Sequence, residues 1–96
     1  MKIIIAGAGK IGYSVADILT AEGHDITVID NDSARIDNLS NNLDVICVEG
    51  SATNSETLLE AGAAEADLLM AATRSDETNM VCGISARKLG TKHVIA

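Results

Sequence analysis

The hydrophobic pattern of this chain predicts five β-strands. Short, nearly continuous apolar runs are typical of strands that are covered on both faces of a sheet. Such runs occupy residues 2–6, 25–30, 45–48, 68–72 and 93–96. Each run is far shorter than the roughly 20 apolar residues that a membrane span requires, so we expect no insertion into a membrane.

The segments between these runs predict four helices, because their apolar residues recur at helical spacing. We expect these residues to form the inner faces of the helices: Ile11, Val15, Ile18 and Leu19; Ile36, Leu39 and Leu43; Leu58 and Leu59; Met80, Val81 and Ile84. Strands and helices therefore alternate through the whole chain.

The predicted helices carry recognisable capping residues. Thr53-x-x-Glu56 has the capping-box pattern, which predicts that Thr53 caps the third helix. Asp32 or Ser33 is expected to cap the second helix, and Ser75 the fourth. Gly23 stands where the first helix would end.

This alternation is typical of one α/β domain over residues 1–96. We predict a Rossmann-like, doubly wound parallel sheet with strand order 3-2-1-4-5 and helices on both faces. In such a sheet the strand order reverses between strands 1 and 4. A ligand is expected to bind there, beyond the carboxyl ends of the strands.

Composition narrows the classes of function. The chain has 14 acidic and 7 basic side chains, a net charge of −7 and a single aromatic residue, Tyr13. A nucleic-acid surface needs clustered Lys and Arg, so nucleic-acid binding is excluded. Cys47 and Cys82 are predicted to be buried, reduced thiols, which suits a cytoplasmic protein. No metal-ligand spacing or nucleophile–base pairing is present, so neither metal nor catalytic residues are predicted.

The glycine-rich segment Gly7-Ala8-Gly9-Lys10-Ile11-Gly12 has the G-x-G-x-x-G spacing and lies directly between a predicted strand and a predicted helix. In this motif Gly7 permits the tight turn, Gly9 lets the backbone approach a pyrophosphate, and Gly12 lets the helix pack closely on the strand. Lys10 either pairs with a phosphate or points to water. The alternative for the whole segment is a plain glycine-rich turn.

Asp30 ends the second predicted strand, where a carboxylate accepts hydrogen bonds from the adenosine ribose of a dinucleotide. The same charge would repel a 2′-phosphate, so NAD or NADH is favoured over NADP(H). A solvated aspartate at a strand end is the alternative.

Two further loops are predicted to reach the same crevice. Thr73 is expected near the phosphates or the second ribose of the ligand. Arg74 and Asn79 are candidates as well, although helix capping or solvation would also account for them. Residues 50–53 either wall the adenine or form a simple turn with a helix cap.

Four segments of the chain resemble the N-terminal nucleotide-binding domain of Trk-type potassium-uptake regulatory proteins, also called the RCK or KTN domain. These segments are residues 1–12, 28–30, 48–53 and, most specifically, 72–80. The resemblance implies nucleotide contacts at Gly7, Gly9, Lys10, Ile11, Asp30, Asn31, Ser51, Ala52 and Thr73.

The resemblance also implies a function. Such a domain is a cytosolic regulator that binds NAD(H), or alternatively ATP or ADP, and tunes potassium uptake. It associates peripherally with the inner face of the membrane through a potassium-translocating subunit, and it forms homo-dimers or larger rings. Family members usually continue with a sixth strand and a crossover helix, so we expect this chain to be truncated at its C-terminus. The alternatives are the cofactor-binding half of an NAD-dependent dehydrogenase and an assembly module with a vestigial site.

Overall fold

Strands and helices alternate strictly in the computed structural model, which describes all 96 residues. The elements are β1 (Lys2–Ala6), α1 (Lys10–Ala21), β2 (Asp25–Asp30), α2 (Ser33–Asn42), β3 (Ile46–Glu49), α3 (Ser55–Glu60), β4 (Leu68–Ala71), α4 (Asp76–Leu89) and β5 (His93–Ile95). None of the four helices combines the length and the apolar character that a membrane-spanning helix needs.

The strands form one parallel sheet in the order β3-β2-β1-β4-β5, which confirms the predicted topology. The register pairs Ile5 of β1 with Val28 of β2 on one side and with Met70 of β4 on the other. Strand order therefore reverses between β1 and β4. The loops that leave these two strands diverge, and they open a crevice at the carboxyl edge of the sheet.

Successive residues of β1 are buried on opposite faces of the sheet. Ile3 and Ile5 belong to a cluster with residues of α1 and α2, whereas Ile4 belongs to a second cluster with residues of α3 and α4. All three side chains are almost completely buried. Helices cover both faces of the sheet, as the sequence predicts.

The inner face of α4 differs from the predicted one. Met80, Val81 and Ile84 are 62%, 46% and 54% exposed. The residues that α4 buries are small: Cys82, Gly83 and Ala86. Small residues form this inner face because α4 lies close to the sheet.

The inner face of α1 differs in the same way. Ile11 and Ile18 are exposed, and the fully buried positions of this helix are Gly12 and Ala16. A side chain at position 12 would meet the backbone of the preceding loop, so no larger residue fits there. The predicted inner face is confirmed for α2, which buries Ile36 and Leu39, and in part for α1, where Val15 and Leu19 pack against the core. It is wrong for Ile11 and Ile18 of α1 and for the large apolar residues of α4.

Three of the helices begin at residues whose side chains cap them. Asp32 accepts a hydrogen bond from the Ala34 N–H (2.9 Å), and Ser75 accepts one from the Thr78 N–H (3.1 Å), as predicted. The predicted capping box at Thr53 is wrong. Asn54 caps α3 instead, through a 3.1 Å hydrogen bond from the Thr57 N–H to its Oδ1. The Thr53 hydroxyl lies 2.8 Å from that of Ser51.

The two cysteines are both free thiols but differ in burial. Cys82 lies on the buried face of α4, and burial raises the pKa of its thiol to about 11. Cys47 is only half-buried, because it lies on the outermost strand, β3. The prediction of a buried thiol is therefore confirmed for Cys82 and wrong for Cys47.

Candidate functional site

A crevice of about 970 Å³ lies at the point where the strand order reverses. Its walls are the loops that follow β1, β2, β3 and β4, together with the first turns of α1, α2 and α4. Of the predicted binding residues, all except Gly12 and the candidate Asn79 line it: Gly7, Gly9, Lys10, Ile11, Asp30, Asn31, Ser51, Ala52, Thr73 and Arg74. The fold thus brings together residues from four separate loops.

The three glycines of the β1–α1 loop have different local constraints. Gly7 has a φ of +114°, and a Cβ there would lie 2.9 Å from the carbonyl oxygen of Ala72 in the β4–α4 loop. Gly12 packs against the Gly7 carbonyl so closely that an added Cβ would overlap it. At Gly9 nothing lies within 4 Å of an added Cβ, so this position faces open space in the crevice.

The N-terminus of α1 differs from those of the other three helices. Its N-cap residue is Gly9, which has no side chain to accept hydrogen bonds, and its first turn contains no acidic residue. The caps of α2, α3 and α4 each accept a hydrogen bond through a side-chain oxygen. The first N–H groups of α1 therefore remain available at the crevice, where the helix dipole favours an anion.

The carboxylate of Asp30 is 8% exposed and holds two loops in place. Its Oδ2 accepts a hydrogen bond from the Ala8 N–H of the glycine loop (2.7 Å), and its Oδ1 accepts one from the Asp32 N–H (2.8 Å). The Arg35 guanidinium lies 3.8 Å from Oδ2. The alternative of a solvated aspartate is wrong. Because each carboxylate oxygen has a second acceptor position, Asp30 can still accept a hydrogen bond from a ligand.

The β4–α4 loop forms the opposite wall. The Thr73 N–H donates to Oδ1 of Asn79 (3.0 Å), the Thr73 hydroxyl donates to the same oxygen (2.6 Å), and Asn79 Nδ2 donates to the Thr73 carbonyl (3.1 Å). Asn79 itself does not line the crevice. Arg74 is exposed on this wall and reaches the crevice without a carboxylate partner.

The β3–α3 loop both borders the crevice and forms a turn. Residues 50–53 line the crevice, and they also form a turn in which the Ser51 carbonyl accepts from the Asn54 N–H at 3.1 Å. The Gly50 N–H donates to the Asp30 carbonyl (2.9 Å), which continues the pairing of β3 with β2 beyond the strand.

Sequence reasoning missed the contribution of α2 to this site. Arg35 and Asn38 both line the crevice. They are three positions apart, so they lie on one side of α2, and this spacing was a signal in the sequence. Sequence reasoning also missed Tyr13 and Ser14 on α1, the N-cap residue Ser75, and Thr78 on α4.

The charge of the crevice is opposite to that of the chain. Lys10, Arg35 and Arg74 line it, and Asp30 is the only carboxylate among the lining residues. The chain as a whole carries a net charge of −7. Positive side chains gathered around an open helix N-terminus favour a ligand with several negative charges. No group of three His, Cys, Asp or Glu side chains is arranged to hold a metal ion.

Among solved structures, the fold is similar to that of a Kef CTD from Shewanella denitrificans in its AMP-bound form, with a TM-score of 0.84 and 26% identity. That match covers 99% of this chain and 57% of the other. The GsuK channel bound to NAD has the same fold at a TM-score of 0.83 and 22% identity, over 97% of this chain and 17% of the channel.

Curated relatives are more similar in sequence. The Trk system potassium uptake protein TrkA homolog of Archaeoglobus fulgidus is 43% identical over 95 residues, and TrkA of Vibrio alginolyticus is 42% identical over 97 residues. The matches cover 99% and 100% of this chain but 21% of each relative. Both are named as potassium uptake proteins. Residues 3–96 match the TrkA-N domain, and the chain therefore belongs to the TrkA-N family.

Proposed function

We propose that this domain binds NAD or NADH, with ATP or ADP as the alternative, and that it regulates a potassium uptake system. The observation that carries this proposal is the N-terminus of α1, which has no capping side chain and opens into the crevice beside the buried Asp30 carboxylate. The helix N-terminus supplies donors for phosphate, and Asp30 supplies an acceptor for ribose hydroxyls.

One ligand pose satisfies both features. The phosphates lie on the first turn of α1, near Lys10, and the adenosine ribose lies on Asp30. The adenine then extends toward Ser51 and Ala52, between the β3–α3 loop and α2. The second half of a dinucleotide lies over the β4–α4 loop, whose residues Thr73 and Arg74 line the crevice. The AMP-bound state of the Kef CTD, a protein of similar fold, supports an adenine nucleotide as the ligand.

A hydride-transferring enzyme is the weaker alternative. Such an enzyme needs an acid or base positioned against the nicotinamide, most often His, Asp, Glu, Lys, Tyr or Cys. The wall that would face this ring contributes Thr73, Arg74, Ser75 and Thr78 instead. Binding without chemistry is therefore the function that this crevice supports.

We propose that the domain acts on a potassium-translocating subunit from the cytoplasmic face of the membrane, as a peripheral partner. The names of the TrkA relatives support this assignment. The assembly of domain and partner would have two states, and the nucleotide would bind one of them more tightly. Binding would therefore shift the equilibrium toward that state, with no chemical change to the nucleotide.

Calorimetric titration tests the binding step directly. We expect NADH to bind with a micromolar Kd and NADPH to bind at least about tenfold more weakly, because its 2′-phosphate would meet the Asp30 carboxylate. Lys10→Gln should weaken NADH binding severalfold, because it removes a positive charge beside the phosphates. The matched control is Lys92→Gln, since Lys92 pairs with Asp67 outside the crevice. Absence of binding by NAD, NADH, ATP and ADP alike would refute the proposal.

We also propose that the domain associates with a second copy of itself through an exposed stripe on α4. The stripe consists of Glu77, Met80, Val81, Ile84 and Lys88, which are all exposed and lie at helical spacing. Its centre is apolar, its first turn is acidic and its last turn is basic. Two copies of α4 packed antiparallel would bury the apolar centre and would place each acidic end opposite a basic end.

Sedimentation at several concentrations tests this association. Ile84→Asp is expected to shift the protein to monomer, because it places a charge in the apolar centre of the stripe. Ile18→Asp is the control, since Ile18 is similarly exposed but lies on α1. Assembly that survives Ile84→Asp, or loss of assembly in Ile18→Asp, would contradict the assignment of the interface.

A further inference from the structure

Asn79 is hydrogen-bonded to Thr73 in the wall of the crevice but does not itself line the crevice. It lies at the end of the first turn of α4, and its amide contacts both backbone groups of Thr73. The N-cap of α4 is Ser75, so Asn79 is not needed to begin the helix. Its three hydrogen bonds to Thr73 therefore have a different effect, which is to set the position of the β4–α4 loop.

The orientation of the Asn79 amide is determined by its partners. Oδ1 accepts from the Thr73 N–H at 3.0 Å, and Nδ2 donates to the Thr73 carbonyl at 3.1 Å. A reversed amide would place its NH2 against the N–H and its oxygen against the carbonyl, so both contacts would be lost. Aspartate at this position would lack the donor. Only an amide of this length satisfies both backbone groups.

These contacts decide how Thr73 can meet a ligand. Its N–H is already bonded to Asn79 and is not free for a phosphate. Its hydroxyl has one proton, and both nearby acceptors belong to the protein: Oδ1 of Asn79 at 2.6 Å and the Ser75 carbonyl at 3.2 Å. The Ser75 N–H approaches the hydroxyl oxygen at 3.3 Å, which leaves one lone pair. In this arrangement Thr73 offers a ligand a hydrogen-bond acceptor, because its proton is directed to acceptors of the protein.

An acceptor matches a ribose hydroxyl and does not match a phosphate oxygen, which is itself an acceptor. We propose that Asn79 is a positioning residue that holds Thr73 as a hydrogen-bond acceptor for the second ribose of a dinucleotide. This inference rests on the proposed nucleotide binding and extends it. Asn79 then contributes to the affinity for dinucleotides, which reach the β4–α4 loop. It does not contribute to the affinity for AMP, which ends at the phosphate on α1.

The test compares NADH and AMP binding by calorimetry in the wild type, in Asn79→Ala and in Asn79→Asp. We expect both variants to weaken NADH binding about tenfold, or about 1.4 kcal/mol, and to change AMP binding less than about twofold. Asn54→Ala is the matched control, because Asn54 also follows a crevice loop and caps a helix but does not line the crevice or contact Thr73. The Asn54→Ala variant should have a lower midpoint of thermal unfolding, but the ratio of its affinities for NADH and AMP should equal that of the wild type.

Thr73→Val provides the second arm. Because Asn79 is inferred to act through Thr73, adding Asn79→Ala to Thr73→Val should weaken NADH binding little further. Equal weakening of NADH and AMP by Asn79→Ala would indicate a general structural role and would overturn the inference, as would unchanged NADH binding. A wild-type protein that binds AMP but not NADH would overturn this inference alone. A wild-type protein that binds no nucleotide would overturn the proposed function as well.

Discussion

Gly12→Ala is expected to destabilise the domain severely, whereas Gly9→Ala, in the same loop, is expected to leave its stability intact. A Cβ at position 12 would overlap the carbonyl oxygen of Gly7 and would lie 2.9 Å from the carbonyl carbon. Both atoms belong to the backbone, so α1 or the glycine loop would have to move. Overpacking of a rigid site costs about 1–3 kcal/mol and sometimes more, and we expect the upper end here.

Thermal unfolding followed by circular dichroism measures this contrast. A change of 1 kcal/mol shifts the midpoint of a domain of this size by about 4–8 °C, so Gly12→Ala should lower it by at least about 10 °C. Gly9 has a φ of −72° and open space around it, so alanine fits there and the midpoint should not fall. In Gly9→Ala we instead expect weaker nucleotide binding, because the methyl group occupies the approach of the phosphates to α1. A Gly12→Ala protein as stable as the wild type would contradict this account.

Asp30→Ala is expected to impair both folding and binding. Its carboxylate accepts hydrogen bonds from the Ala8 and Asp32 N–H groups, and the first of these is buried. Buried hydrogen bonds to a charged acceptor contribute about 1.5–3 kcal/mol each, and the partly buried bond from the Asp32 N–H should contribute less. We therefore expect the free energy of unfolding to fall by about 2–4 kcal/mol. Loss of the ribose contact should weaken NADH binding by a further 1–3 kcal/mol, again about the value of charge-assisted hydrogen bonds.

The two effects of Asp30→Ala are separable. Chemical denaturation gives the loss of stability, and calorimetry at a temperature where the variant remains folded gives the loss of affinity. Asp25→Ala is the control, because Asp25 is exposed at the other end of the same strand. Full stability in Asp30→Ala would mean that other groups hold the glycine loop. Normal stability and normal NADH affinity together would remove Asp30 from the site.

The topology and the location of the crevice were predictable from the sequence because the relevant signals are local. An apolar run followed by Gly7, Gly9 and Gly12 specifies a strand, a tight turn and a helix in succession. The position of Asp30 at the end of the next strand then places its carboxylate beside that turn. Alternation of strands and helices leaves few topologies, since parallel crossovers are right-handed.

Helix orientation was less predictable, for a physical reason. Spacing alone favours large apolar residues such as Ile18, Met80 and Ile84 as the buried ones, yet these are exposed. The surface of the sheet is built from bulky isoleucine and leucine side chains, and α1 and α4 approach it through small residues such as Ala16 and Ala86. Side-chain volume at the contact, which periodicity does not measure, decided which face was buried.

Parts of the site depended on contacts that no local pattern reveals. Asn79 was a candidate for ligand contact or capping, and instead it holds Thr73 through its amide. Arg35 was not predicted at all, because its place in the crevice depends on how α2 is rotated against β2. Thr53 and Asn54 are both good capping residues, and only the geometry of the loop selects Asn54.

The open N-terminus of α1 has a consequence for the energetics of the whole domain. The N-termini of α2, α3 and α4 are capped by side chains of the protein, whereas α1 has no capping side chain for its first N–H groups. Under the proposed function, the phosphates of the nucleotide serve as the missing cap. Ligand occupancy would then stabilise the fold by RT ln(1 + [L]/Kd), or about 2.7 kcal/mol at a hundredfold excess over Kd. The domain would be more rigid when the nucleotide is abundant, so its own folding equilibrium would report the nucleotide supply of the cell.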